Sequence, residues 1–356
     1  MAKLWSDCRR VLAELMRLPQ SLRGGPGHRG APSDHFDGRH FFNPGAPTGR
    51  SFADFLRWQR TRRASPWPQW RANPPVAAAP GAPAADEMAV TFINHVTFLI
   101  QLPGLNILTD PVYCERASPV QWAGPRRVHA PGLAWQQLPA LDLVFVSHNH
   151  YDHMDLSTLR RLRQAHAPLF LTGLGNASFL RQQGITPVVE LDWWEQTSLR
   201  GAQLTFTPAQ HWSTRGSGTR NHTLWGGLWI ATPEHSLYFA ADTGYAPWFA
   251  QLRQRLGAPE VALLPIGAYE PRWFMRDQHM NPEDAVRAHL DLGAHASVAM
   301  HFGCFRLTDE GIDEPALALE RACREHGVAA AAFQVPVPGQ RLLWRAAGAS
   351  DQRSPL

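Results

Sequence analysis

The sequence predicts an α+β body of four layers, an αββα sandwich in which two mixed β-sheets are flanked by helices. Three observations lead there. The chain has 356 residues, 44% of them hydrophobic and 18% charged, enough for a core far larger than a minimal scaffold needs. Strand-like runs come first in hairpins and then alternate with helical stretches, the order expected of mixed sheets covered by helices. Leu141 to Ser147 is a near-continuous apolar run, which suits a strand buried on both faces.

Composition excludes several classes. With 14 Trp and 17 Phe among so few charges, the chain is not disordered. No apolar run reaches the roughly 18 residues of a membrane-spanning helix, and no fixed-period repeat suggests a solenoid or propeller. Cys8, Cys114, Cys304 and Cys323 are far apart and form no CxxC pair, which fits neither a thiolate zinc finger nor a disulfide framework. Asp7, Arg9, Arg10, Glu14 and Arg17 interrupt every short apolar run before Leu22. No secretory signal is therefore expected, and the protein should be cytoplasmic rather than secreted.

Charge divides the chain. Residues 1–75 carry 13 Lys and Arg against 5 Asp and Glu, while the remainder carries 21 against 25. A basic arm thus precedes a slightly acidic body; it suits contact with anionic lipid or nucleic acid, or ordinary solvated chain. Within the arm, Leu4, Cys8, Val11, Leu12 and Leu15 recur at helical spacing among arginines. That pattern describes a basic amphipathic helix able to lie on a membrane or on the protein's own body. Residues 1–85 read as this arm, Pro- and Gly-rich, with one helical island between Phe52 and Trp70 and a Pro/Ala linker from Asn73. Trp67 and Trp70, beside Arg60, Arg62 and Arg63, suit either a lipid interface or packing into the body.

The folded body spans residues 86–346, followed by a tail over 347–356. Val90 to Ile93, His95 to Leu102 and Asn106 to Thr109 read as strands, with Pro103-Gly104 as a turn. Asp155 or Ser157 caps a helix that runs to about His166. Later strands are expected at 203–207, 224–231, 236–241, 261–265 and 297–301, with a helix from Asn281-Pro282 to Gly293 before the last.

The residues that carry chemistry begin at Ser147-His148-Asn149-His150-Tyr151-Asp152-His153, directly after the buried strand. Three imidazoles and a carboxylate in six positions are costly as structure, because they cannot all be buried without partners. A loop leaving a strand end can aim alternate side chains at one point. His148 and His150 can share one metal, and Asp152 and His153 a second, with zinc or another first-row divalent ion preferred over calcium. Three more polar residues end apolar strands: His211 in Gln210-His211-Trp212, Asp242 before Thr243-Gly244, and His301 before Phe302-Gly303. Together they are what a two-metal centre still needs.

At these residues the sequence resembles the metallo-β-lactamase fold superfamily, and within it the N-acyl-phosphatidylethanolamine-hydrolysing phospholipase D family. The resemblance covers roughly Phe52 to Trp344. Its specific matches include Leu108-Thr109-Asp110-Pro111, Arg116-Ala117-Ser118-Pro119, Leu191-Asp192-Trp193-Trp194-Glu195, Leu224-Trp225-Gly226, Asp242-Thr243-Gly244-Tyr245 and the run Pro265 to Met275. The resemblance implies two zinc ions per chain. One would take His148, His150 and His211, the other Asp152, His153 and His301, with Asp242 bridging both beside a water or hydroxide. It implies hydrolysis of N-acyl-phosphatidylethanolamine to N-acylethanolamine and phosphatidic acid, with Asp152 and Asp242 in the catalytic centre. His279 would be a proton donor or a group behind the ligands. Gln121, Tyr151, His222 and Trp122 would border the substrate; Trp122 stands where the family has Tyr, and His222 where a family member has Lys. A phospholipid at a membrane surface is the implied partner, and a homodimer the implied assembly; nucleic acid is not expected, the body being slightly acidic. The alternatives are a hydrolase of the same fold acting on another phosphodiester, a lactone or RNA, and a membrane-binding scaffold with structural zinc. No GxSxG elbow offers a serine nucleophile.

Overall fold

The structure, a computed structural model, describes residues 24–46, 50–76 and 81–346. The helix expected around Leu4 to Leu15 and the tail over 347–356 lie outside the described residues.

Strands β1 (Glu87–Asn94), β2 (Thr97–Leu102) and β3 (Leu105–Thr109) form an antiparallel meander, and β4 (Leu143–Val146), β5 (Leu169–Gly173) and β6 (Val188–Leu191) extend the sheet in parallel. The second sheet repeats this plan. Strands β7 (Gln196–Leu199), β8 (Ala202–Thr207), β9 (Gly227–Ala231) and β10 (Ser236–Phe239) are antiparallel, whereas β11 (Val261–Pro265), β12 (Ala296–Met300) and β13 (Phe333–Gln334) continue in parallel. The last strand, β14 (Arg341–Arg345), returns to the first sheet and pairs antiparallel with β1. Each sheet thus has seven strands, in the orders β14-β1-β2-β3-β4-β5-β6 and β13-β12-β11-β10-β9-β8-β7. These are the two mixed sheets of the αββα reading.

Alternation along β4 explains the layering. Leu143 and Phe145 face the second sheet, while Val144 and Val146 pack under α2 (Leu156–His166) and α3 (Ala177–Gln182) through Leu159, Leu162, Phe179 and Leu180. Between the sheets, the Phe145 ring stands 6.0 Å from Phe206 and 5.9 Å from Phe239. Truncating a phenylalanine buried in this way costs about 3–5 kcal/mol. Helices α4 (Trp248–Leu256), α6 (Pro282–Leu292) and α7 (Glu314–Glu325) contribute Phe249, Leu252, Val286, Leu292 and Leu319 to the same main core, with the short α5 (Arg272–Met275) preceding α6.

The caps act where the sequence places them. The Asp155 side chain accepts from the backbone N–H of Ser157 and Thr158 at the start of α2. Asn281 caps α6 with Pro282 in its first turn, and Gly293 ends it at φ 62°.

Residues expected to form an arm lie against the body. Phe36 and Phe41 are buried in the main core. Helix α1 (Phe52–Thr61) is docked by Trp58, whose indole N–H donates to Asp309 at 2.9 Å, and Arg62 pairs with Asp309 at 2.7 Å. Trp67 is held in the body as well, donating to the Glu310 carbonyl at 2.9 Å, while Trp70 is exposed.

Candidate metal centre

All seven expected ligands, drawn from both sheets, follow the C-terminal ends of strands: His148 to His153 after β4, His211 after β8, Asp242 after β10, His301 after β12. Loops at one end of a rigid sandwich can therefore converge on a single site.

They converge as two groups that share Asp242. In the first, His148 Nε2 lies 2.8 Å and His211 Nε2 3.3 Å from His150 Nδ1. In the second, Asp152 Oδ2 lies 3.5 Å from His153 Nε2 and 3.4 Å from His301 Nε2. Asp242 stands between them, Oδ1 3.1 Å from His301 Nε2 and Oδ2 at 3.3 Å from His153 Nε2 and 3.6 Å from His211 Nε2. His153 Nε2, His301 Nε2 and Asp242 Oδ1 are buried without a hydrogen-bond partner. Buried polar atoms gathered at one point without a hydrogen-bond partner are what a bound cation would satisfy. Imidazole and carboxylate donors within 4.8 Å of one another fit a divalent metal.

The electrostatics divide in the same way. Burial holds His148 and His211 well below the usual imidazole value and His150 down to about 4. Burial also opposes charge on His153 and His301, but Asp242 and Asp152 outweigh it. His153 is held well above its ordinary value, and His301 rises to about 9. Against the pull of burial, facing histidines keep Asp152 and Asp242 well below the usual carboxylate range.

Outer contacts fix the ligands. His153 Nδ1 donates to Asp110 Oδ2 at 2.7 Å, and Asp110 also accepts from the Ser147 backbone and hydroxyl at 2.7 and 2.6 Å. His211 Nδ1 donates to the Gln278 carbonyl at 3.0 Å, and His148 Nδ1 lies 2.9 Å from Ser147 Oγ. The buried Arg215 guanidinium donates to the carbonyls of Met154 at 2.6 Å and Asn149 at 3.3 Å, clamping the ligand loop from beneath.

Asp110 and His95 also contact the candidate ligands, and ligand spacing did not single them out. Asp110 appeared in the sequence only as part of Leu108-Thr109-Asp110-Pro111. His95 was read as the first residue of a strand, but it sits in the β1–β2 turn at φ 47°, 1% exposed, with Nε2 3.2 Å from Asp152 Oδ2. A histidine between Asn94 and Val96 at the tip of a hairpin was the available signal.

The centre forms the floor of a cleft of about 530 Å³, reached by His150, Asp152, Asp242 and His279. One wall is apolar: Phe55 and Trp58 of α1 line it with Ala117, Phe274, Met275 and Leu307, the Trp58 and Phe274 rings stacked at 5.1 Å. His279 stands where expected, Nδ1 3.8 Å from Asp242 Oδ2, and burial pushes it down to about 4. Tyr151 borders the cleft, with its hydroxyl donating to the Arg215 carbonyl at 2.6 Å and its ring under the Arg215 guanidinium.

Three residues expected to border the substrate are not among the residues that line the cleft. Gln121 is turned onto Arg116, exchanging hydrogen bonds of 3.2 Å with its backbone, and borders a smaller neighbouring cavity. Trp122 is 82% exposed and lines no part of the cleft. His222 faces the N-terminal segment, its ring 5.2 Å from His40; two residues earlier, Arg220 reaches the cleft, 4.4 Å over the Trp212 ring. The turn over 216–222 decides which of these side chains faces inward, and no periodic pattern marks it.

Residues 105–302 match the β-lactamase superfamily domain. An uncharacterized protein of Mycobacterium tuberculosis (strain ATCC 25618 / H37Rv) is 41% identical over 72% of this chain and 69% of its own. The N-acyl-phosphatidylethanolamine-hydrolyzing phospholipase D 1 of Caenorhabditis elegans is 37% identical over 63% of this chain and 67% of its own. Among solved structures, a metallo hydrolase of the archaeon Ignicoccus hospitalis superposes with a TM-score of 0.57 at 22% identity, over 73% of this chain and 99% of the other. The fold is shared with metal-dependent hydrolases.

Proposed function

This chain belongs to the β-lactamase superfamily as a metallo-hydrolase, and on that premise we propose that it is a zinc-dependent phosphodiesterase of phospholipase D type. Its substrate is N-acyl-phosphatidylethanolamine, cleaved to N-acylethanolamine and phosphatidic acid. The observation that carries the reading is the pairing of two donor groups on the floor of a cleft with an apolar wall. The donors suit a phosphodiester, and the wall suits an acyl chain.

When bound, two zinc ions supply Lewis acidity to the phosphoryl oxygens and lower the pKa of water. His148, His150 and His211 hold one, Asp152, His153 and His301 the other, and Asp242 faces both groups. Asp152 and Asp242, both held ionised, would offset the cationic charge of bound metal. His279 meets the substrate as a neutral imidazole, because burial depresses it. A phosphodiester's negative charge beside it favours its protonated form, which places it to hold and pass a proton at the leaving oxygen. Phe55, Trp58, Phe274 and Leu307 exclude water along the acyl chain.

The substrate lies in a bilayer, so the cleft must meet a membrane. No helix among the described residues is long and apolar enough to cross one. Trp122, on the loop that also brings Ala117 to the cleft, is the most exposed large apolar side chain among the described residues, with Arg116 and Arg126 nearby in sequence. Aromatic and basic residues together suit an anionic lipid interface. Mass spectrometry of lipid extracts incubated with purified protein, with and without chelator, tests the assignment. Metal-dependent loss of N-acyl-phosphatidylethanolamine with gain of both products supports it. An unchanged lipid profile, with turnover of an RNA or lactone instead, overturns it.

A further inference from the structure

Three ligands are braced from outside: His148 by Ser147, His153 by Asp110 and His211 by the Gln278 carbonyl. Asp152 is a carboxylate and needs a donor rather than an acceptor. His95 faces it, Nε2 to Oδ2 at 3.2 Å. We propose that His95 is a positioning residue for the second donor group, donating its Nε2–H to Asp152 and so fixing that carboxylate against His153 and His301. The inference rests on the two-metal reading above.

Two features support it. His95 Nδ1 is buried with no hydrogen-bond partner. A buried orphan N–H is rarer than a buried orphan acceptor, so the ring proton belongs on Nε2, where Asp152 receives it. The backbone of His95 also braces the same group: its carbonyl accepts from the His301 N–H at 2.7 Å, and its ring stands 4.2 Å from that of His301. The backbone at His95 is left-handed, with φ 47°, at the tip of the hairpin. One residue thus stands beside all three residues assigned to the second metal alone, Asp152 at 3.2 Å and the rings of His153 and His301 at 5.9 and 4.2 Å.

Calorimetric titration of zinc into chelator-stripped full-length protein tests the role, with bound metal counted by elemental analysis. His95→Ala should keep the first zinc and weaken the second about 10–100-fold, the usual effect of removing a partner behind a ligand. His95→Gln retains an N–H donor and should recover most of that loss. Equal affinities in wild type and His95→Ala would overturn the role of His95, and so would equal impairment of the Ala and Gln variants. If His95→Ala does not fold, His95→Gln decides alone, and a second zinc weakened more than tenfold there counts against the proposal. Fewer than two zinc ions in the wild type would overturn the two-metal reading itself, a separate outcome.

Discussion

Asp110 Oδ2 and His153 Nδ1 are joined by a 2.7 Å hydrogen bond between two wholly buried side chains. The bond fixes the imidazole so that Nε2 faces Asp152 and Asp242. It ties the end of β3 to the loop after β4, and hence the fold of the first sheet to the donor geometry.

Replacing that carboxylate tests the link. Asp110→Asn keeps the shape but removes the charge, and its amide can present an N–H where His153 donates. Affinity for the second metal should fall about 10–100-fold, with the first metal retained. Zinc titration with elemental analysis measures both, and unchanged affinity would detach Asp110 from the centre.

Acidity should act on the metal-free protein with a definite sign. His301 is raised from 6.5 to about 9 by Asp242 and Asp152 against burial, and His153 is raised too. A group whose folded pKa is raised stabilises the fold fully below its unfolded value and loses that contribution as pH rises through the folded one. Chelator-treated protein should therefore lose thermal stability between about pH 6.5 and 9, while zinc-loaded protein does not show this loss. Zinc uptake near pH 7 should release protons. A metal-free melting temperature that rises across this window would contradict the charge assignment.

Arg215 offers a test of the loop beneath the ligands. Arg215→Met removes the donors that satisfy the Met154 and Asn149 carbonyls and the cation over Tyr151. Leaving buried carbonyls unpaired costs about 1–3 kcal/mol. Denaturant unfolding should show a loss of that size, and activity should fall more than stability alone explains, because the displaced loop carries four ligands. A variant equal to wild type in both respects would make the clamp incidental.

The exposed Trp122 bears on the membrane. Trp122→Ala should bind anionic vesicles about tenfold more weakly, the loss expected when one large apolar side chain no longer leaves water, with metal content unchanged. Trp67→Ala should instead lower stability, because Trp67 is already committed to the Glu310 carbonyl. Equal vesicle binding by wild type and Trp122→Ala would move the docking face elsewhere.

Much of this was legible in the sequence because metal donors must end buried strands, and such ends carry local signals. The apolar run before His148 and the dipeptides Asp242-Thr243 and His301-Phe302 mark them. Elements without contrast were not legible. Strand β7 has three polar residues before Leu199 and none buried, and β13 has two residues, so neither carries a pattern above that of a loop. His95 escaped for another reason: its role comes from a contact with Asp152, 57 positions away, which no local spacing encodes. Gln121 and His222 were placed at the substrate by resemblance alone. Their side chains meet Arg116 and His40, contacts that depend on tertiary packing.

Cleavage of phospholipase D type requires water to attack phosphorus beside Asp242. Hydrolysis of N-acyl-phosphatidylethanolamine in water enriched in heavy oxygen, with both products weighed by mass spectrometry, addresses it most directly. Attack at phosphorus breaks the bond between phosphorus and the ethanolamine oxygen, so the heavy atom should appear in phosphatidic acid and be absent from N-acylethanolamine. Heavy oxygen in N-acylethanolamine would mean cleavage at carbon and would contradict attack at phosphorus.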